Sequence, residues 1–246
     1  MSAEKVVRSI VSWLKDVVSI AGAKGVVIGM SGGVDSAVAA ALCKRAFPAA
    51  TLGVIMPCHS DDIDRQHAEL VAAQFDIDYE VVVLDGVFDV LTQVLPSKGY
   101  DAATQKMAES NIKPRLRMTA LYYFANRLNY LVVGASNRSE LSVGYFTKHG
   151  DGGVDLLPLG NMVKRQVREV AEYLDIPRVI IDKPPSAGLW PGQTDEGQMG
   201  LSYKELDRYL MTGGASKNIK NKIDSMIIKS SHKRCLPPIP PLFDDC

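Results

Sequence analysis

The 246-residue sequence predicts an α/β fold, a doubly wound parallel sheet with helices on both faces. Three observations lead there. Short apolar runs bounded by glycine or polar residues alternate with longer stretches of helical periodicity. The length suits one sizeable domain, 1–246, rather than two large ones. A glycine loop sits between the first strand and its helix, where open parallel sheets take their ligands.

The elements follow in order. Val6, Val7, Ile10, Val11, Leu14, Val17 and Val18 recur at helical spacing, predicting an amphipathic helix over 4–20 that Gly22 and Gly25 end. Residues 25–30 read as a buried strand, followed by Ser31-Gly-Gly-Val-Asp-Ser36 and an alanine-rich helix over 37–47. Strands at 52–56, 79–84 and 130–133 alternate with helices at 62–75 and 115–128, and such alternation implies parallel pairing. Residues 134–160 read as a long functional loop. Met162, Val163, Val167, Val170 and Leu174 restore helical periodicity over 161–174. The Pro- and Gly-rich stretch 183–200 predicts a mobile segment. Ser202-Tyr-Lys-Glu205 is a capping box opening a helix, and a last helix spans 216–229 before a proline-rich tail.

Bulk properties exclude several classes. With 28 basic and 28 acidic side chains the net charge is zero, unlike the basic footprint of a nucleic-acid binder. The charged N-terminus is neither a secretory signal nor a membrane span. Cys43, Cys58, Cys235 and Cys246 lack metal-ligand spacing and read as reduced thiols of a cytoplasmic protein. Cys58 beside His59 is discounted as a nucleophilic pair, because such partners usually meet through the fold.

The glycine loop is the most informative segment. Gly32 and Gly33 carry no Cβ and permit positive φ, so the backbone can wrap an anion closely. Its amides join the positive end of the following helix, and Ser31 and Ser36 add hydroxyl donors. Asp35 would repel a phosphate unless a cation lay between them, and Mg²⁺ is the natural choice. The loop therefore implies a polyphosphate with a metal. Gly-Lys occurs nowhere, so this is no Walker A loop, and G-x-G-x-x-G is also absent.

SGGVDS resembles the SGGxDS motif of the N-type ATP pyrophosphatases, a superfamily with an adenine nucleotide α-hydrolase-like, Rossmann-like fold. Five further collinear segments resemble the NAD⁺ synthetase pattern within it: Asn111–Met118, Gly134–Glu140, Gly144–Asp155, Pro185–Glu196 and His232-Lys233. The resemblance runs from about residue 5 to 240.

It implies ATP on Gly29, Met30, Ser31, Gly32, Gly33, Val34, Asp35 and Ser36, with Ala135, Lys164 and Ser186. Asp35 and Glu140 would hold Mg²⁺, and Lys164 would clamp the leaving pyrophosphate. Arg115, Lys148, Asp155, His232 and Lys233 match positions that hold deamido-NAD⁺, whose pyrophosphate and carboxylate call for cations. Asp155 accepts from ribose hydroxyls or orients the attacking ammonia; with Asp35 and Lys164 it completes the set implied in the chemistry. Tyr145 and Phe146 could stack on a pyridine ring. Two positions depart from the pattern: Ala135 replaces a frequent threonine, and Gly188 replaces a frequent aspartate.

The implied activity is ammonia-dependent NAD⁺ synthesis, a ligase reaction making NAD⁺, AMP and pyrophosphate through an adenylate. The length leaves no room for the amidohydrolase domain of glutamine-using relatives, so ammonia arrives free or from a separate subunit. The helix over 115–128 is apolar on more than one face, which fits a homodimer or a central buried helix. Two rivals share the loop. A tRNA-thiolating pyrophosphatase should show a basic surface and paired catalytic cysteines. A non-catalytic adenine-nucleotide sensor should lose the metal carboxylates.

Overall fold

The computed structural model describes residues 2–96, 99, 101–190 and 192–240. Cys246, the end of the tail and Pro191 in the stretch 183–200 lie outside the described residues.

Four parallel strands form the sheet: β1 (Gly25–Gly29), β2 (Thr51–Ile55), β3 (Asp78–Val81) and β4 (Tyr130–Val133), in the order β3-β2-β1-β4. β1 pairs with β2 through Val26 and Thr51, and with β4 through Val26 and Leu131. The chain winds outward from β1 to β3 and then crosses to the far side of β1. The switch point therefore lies between β1 and β4, where parallel sheets open a crevice at the carboxyl ends of their strands.

Strand alternation divides the core in two. Val26 and Ile28 face a layer made by α1 (Ala3–Ile20), α2 (Val34–Ala46), α3 (Asp62–Gln74) and α8 (Lys164–Tyr173). Val27, Val54 and Val132 face the other side, where α6 (Ile112–Leu128) lays down Leu121 and Ala125. A third cluster joins α7 (Arg138–Val143), α10 (Asp195–Met199), α11 (Tyr203–Thr212) and α12 (Lys217–Lys229) through Val143, Leu206 and Ile223.

Every predicted strand is present, and the predicted helices differ mainly at their ends. α2 starts at Val34 rather than Ala37, because the helix grows directly from the glycine loop. α6 starts at Ile112, with Pro114 tolerated in the first turn, where its missing N–H costs nothing. The helix expected over 161–174 begins only at Lys164, after a turn. Two corrections are larger. The expected loop 134–160 contains α7, started by a capping box in which Asn137 Oδ1 accepts from the Glu140 amide. The stretch 183–200 is pinned as well as looped: Leu189 donates to Gln193 Oε1 (2.8 Å), buried Lys113 donates to the Leu189 carbonyl (2.9 Å), and Thr194 caps α10. Besides α7 and α10, three described helices were not anticipated: α4 (Asp85–Val94), α5 (Ala102–Ser110) and the single turn α9 (Arg178–Ile181).

Candidate active site

The site grows from the carboxyl end of β1. Met30 donates its amide to Val54 O, closing the ladder, and the chain then turns at Gly32 with φ +73°. A side chain there would strike the Asp64 carbonyl oxygen as well as strain the backbone, so glycine is required. The serines brace the loop instead of reaching outward. Ser36 Oγ donates to Gly33 O (2.9 Å) and accepts from the Ser31 amide (3.2 Å), and its distance to Ser31 Oγ is 3.0 Å. The hydroxyl donors expected for an anion are thus engaged within the loop. What remains for a phosphate is the first turn of α2, whose amides at Val34, Asp35 and Ser36 have no intrahelical acceptor.

Asp35 and Glu140 converge on a single cation. Lys164 Nζ forms ion pairs with Asp35 Oδ2 and, at 3.3 Å, with Glu140 Oε1. The lysine comes from the first residue of α8 and is 3% exposed. Burial opposes its charge, but the two carboxylates overcome this and hold the ammonium above its ordinary pKa. Burial pushes Glu140 the other way, up to about 7, aided by Asp35 and only partly offset by Lys164. Lys164 was expected on the phosphates; in this structure it lies between the two acids expected to hold metal.

Several residues of this cluster escaped the sequence reading. Asn137 Nδ2 donates to Asp35 Oδ1 at 2.8 Å, so one side chain both caps α7 and orients the aspartate. An Asn followed three residues later by Glu is a visible capping signature that could have revealed it. Tyr203 OH lies 3.0 Å from Glu140 Oε1 and 2.9 Å from Asp195 Oδ2, and Tyr145 OH donates to Asp195 Oδ1 at 3.1 Å. Burial raises the pKa of Asp195 and of both tyrosines, and the neighbouring acids raise the tyrosines further. Tyr145 is thus anchored through its hydroxyl to Asp195 and, at 2.7 Å, to Gln198 Oε1.

A second group lies along the start of α6. Arg115 donates to Lys148 O at 3.4 Å, Lys148 Nζ to His232 O at 2.8 Å, and Lys233 Nζ to Gly144 O and Phe146 O at 2.8 and 2.7 Å. The structure therefore gathers these four expected residues, with Lys233 5.3 Å from the centre of the Phe146 ring. Asp155, in the segment after α7, lies against α6 two turns beyond Arg115, accepting from Tyr122 OH (3.0 Å) and from the Val132 amide of β4 (2.8 Å). Ser186 is exposed and accepts from the Gly188 amide at 3.1 Å, and Ala135 is half-buried against the main core. Gly188 has φ +61°, and a Cβ there would come 3.5 Å from Asp64 Oδ2. That distance is ordinary contact with a carboxylate already paired with Lys183, so it is the positive φ that favours glycine at 188. Cys58 is buried while the His59 ring bonds Asp89 (2.7 Å), so the two form no dyad.

The NAD synthase family profile matches residues 6–237. The chain belongs to the NAD synthase family. The NH(3)-dependent NAD(+) synthetase of Carboxydothermus hydrogenoformans is 50% identical over 97% of this chain and 98% of its own. Among solved structures, the NMN synthetase of Francisella tularensis superposes with a TM-score of 0.91 at 37% identity, covering 98% of this chain and 100% of that one. The NH3-dependent NAD synthetase of Campylobacter jejuni gives 0.80 at 27% identity, covering 98% and 100%.

Proposed function

We propose that this protein is an ammonia-dependent NAD⁺ synthetase, a ligase that amidates deamido-NAD⁺ at the expense of ATP. The observation that carries the reading is the convergence of Asp35, Glu140 and Lys164 beside the glycine loop of an NAD synthase-family chain. The nicotinate carboxylate attacks the α-phosphorus of ATP and displaces pyrophosphate. Ammonia then attacks the acyl-adenylate, loses a proton and expels AMP.

In this reading the α2 amides and Lys164 receive the triphosphate and offset the charge of the departing pyrophosphate. Arg115, Lys148, His232 and Lys233 hold the dinucleotide, with Asp155 at its far side. Gly29, Met30 and Ala135 approach ATP through backbone, and Ser186 through its hydroxyl. Asp35 and Glu140 would hold Mg²⁺: both acids already meet at one cationic point, as a divalent ion needs. Such an ion would offset the negative charge of the phosphates. Among the described residues there is no group of three or more His, Cys, Asp or Glu that could hold a metal ion.

A homodimer is part of the proposal. α4 buries none of its residues, and its Val87, Val90 and Val94 are 54–73% exposed. Such a patch is expected to be covered. Among the described residues no helix is long and apolar enough to cross a membrane, and Cys43, Cys58 and Cys235 are free thiols, in keeping with the cytoplasm.

One observation favours a second substrate, a nicotinic acid mononucleotide: the likeness to the NMN synthetase, at TM-score 0.91, exceeds that to the NAD synthetase, at 0.80. The deciding assay supplies ATP, Mg²⁺ and ammonia with either acid and follows AMP and the amide. Equimolar AMP and NAD⁺ support the first reading, and preference for the mononucleotide supports the second. ADP, or no turnover of either acid, rejects both.

A further inference from the structure

α8 begins with a local deficit. Its N-cap is Val163, whose side chain offers nothing to the orphan amides of the first turn. Gln166 reaches back only to the Val163 amide (3.1 Å). The missing acceptors come from other elements. The Arg165 amide donates to Asp207 Oδ2 at 2.8 Å. The Lys164 amide donates to Ser139 Oγ at 3.1 Å, and that hydroxyl donates in turn to Asp207 Oδ1 at 2.6 Å. Ser139 is 0% and Asp207 5% exposed, so these bonds are made away from water.

One carboxylate on α11 therefore fixes the starts of α7 and α8, the helices that carry Glu140 and Lys164. Tyr203, one turn earlier on the same helix, approaches Glu140 Oε1 at 3.0 Å, and its ring lies 4.9 Å from Lys164 Nζ. Residues four apart share a helix face, so α11 meets both halves of the cluster with one side.

We propose that Asp207 is a positioning residue for the reaction: by capping α8 and gripping Ser139 it sets the spacing of Lys164 and Glu140, and through them the site for Mg²⁺ and the departing pyrophosphate. This rests on the functional reading above. Displacing a supporting shell by an ångström costs far more in rate than in substrate binding.

The test uses the full chain carrying Asp207→Ala, Asp207→Asn and Ser139→Ala. Circular dichroism reads folding, steady-state kinetics read kcat and each KM, and Mg²⁺ titration of the thermal midpoint with ATP present reads the site without turnover. Asp207→Ala is expected to lower kcat about tenfold or more and to raise the Mg²⁺ needed for half-maximal stabilisation, with KM for ammonia unchanged. Asp207→Asn, which keeps one acceptor oxygen, falls between, and Ser139→Ala shifts the same quantities in the same direction. Folded variants with wild-type kcat and wild-type Mg²⁺ response, differing only in thermal midpoint, would overturn the proposal. Should Asp207→Ala fail to fold, the other two variants decide. A wild-type protein that makes neither AMP nor amide would reject the functional reading, and the Mg²⁺ titration would still test whether Asp207 shapes the site.

Discussion

At the scale of single residues, the cluster turns on one buried ammonium between two carboxylates. Removing one partner of such an arrangement leaves uncompensated charge and costs about 3–5 kcal/mol. Lys164→Ala is expected to lower the thermal midpoint and abolish most turnover. Because Asp35 and Glu140 would then repel each other, Mg²⁺ should stabilise the variant more than the wild type. Scanning fluorimetry with and without the ion checks this, and an equal shift in both proteins would contradict it. Cys43 gives a separate handle. Burial pushes its thiol up to about 12, against an ordinary value of 9.0. Between those values the unfolded chain has lost the proton and the native one keeps it. The stabilisation is thus complete below about pH 9 and fades as pH rises toward 12, at up to about 1.4 kcal/mol per pH unit. Denaturant titrations from pH 8 to 11 should show a shallower alkaline decline in Cys43→Ala than in wild type.

The next scale is the element, where the sequence was read unevenly. The glycine loop was legible because its parts are consecutive: a strand, two glycines, an acid and a helix start. The pairing of Lys164 with Asp35 was not, since the partners lie 129 positions apart and only the sheet crossover joins them. α7 was taken for loop although Asn137 and Glu140 carry its capping signal, because glycines and charges on both sides masked a helix of six residues. α4 gives a weak core signal for a physical reason: only Phe88 packs against the core, while Val87, Val90 and Val94 are exposed within one chain. Tyr203 and Asp195 had no local pattern that could announce them. The segment around α10 was expected to be mobile, yet Lys113 holds the Leu189 carbonyl and Lys106 sits 4.8 Å from the Trp190 ring. If this segment shields the adenylate from water, Lys113→Met should loosen it and let hydrolysis compete. The expected sign is AMP released in excess of amide; a ratio that stays at one would count against a shielding role.

For the whole molecule, the parallel sheet and its helical layers followed from periodicity and spacing, whereas the order of the segments expected to bind nucleotide came only from the resemblance to the NAD⁺ synthetase pattern. The assembly state followed from neither, because a helix apolar on several faces looks the same whether a neighbouring layer or a second copy covers it. On α6, Leu121 and Ala125 pack into the core on one face of the sheet while Tyr123 is 58% exposed. Val90→Asp, at the centre of the exposed face of α4, should convert a dimer into monomers in light scattering while leaving the circular dichroism spectrum intact. An unchanged mass would place any dimer contact elsewhere.

The cap that Asp207 gives to α8 also bears on how the molecule comes into being. A ribosome releases the sheet and its glycine loop well before α11. Until roughly the last sixth of the polypeptide emerges, the lysine helix lacks acceptors for its opening amides, and its two acidic partners lack their brace. A nascent chain can therefore complete its central sheet and glycine loop before Glu140 and Lys164 are held in register, so the acid and lysine cluster is set later than the loop.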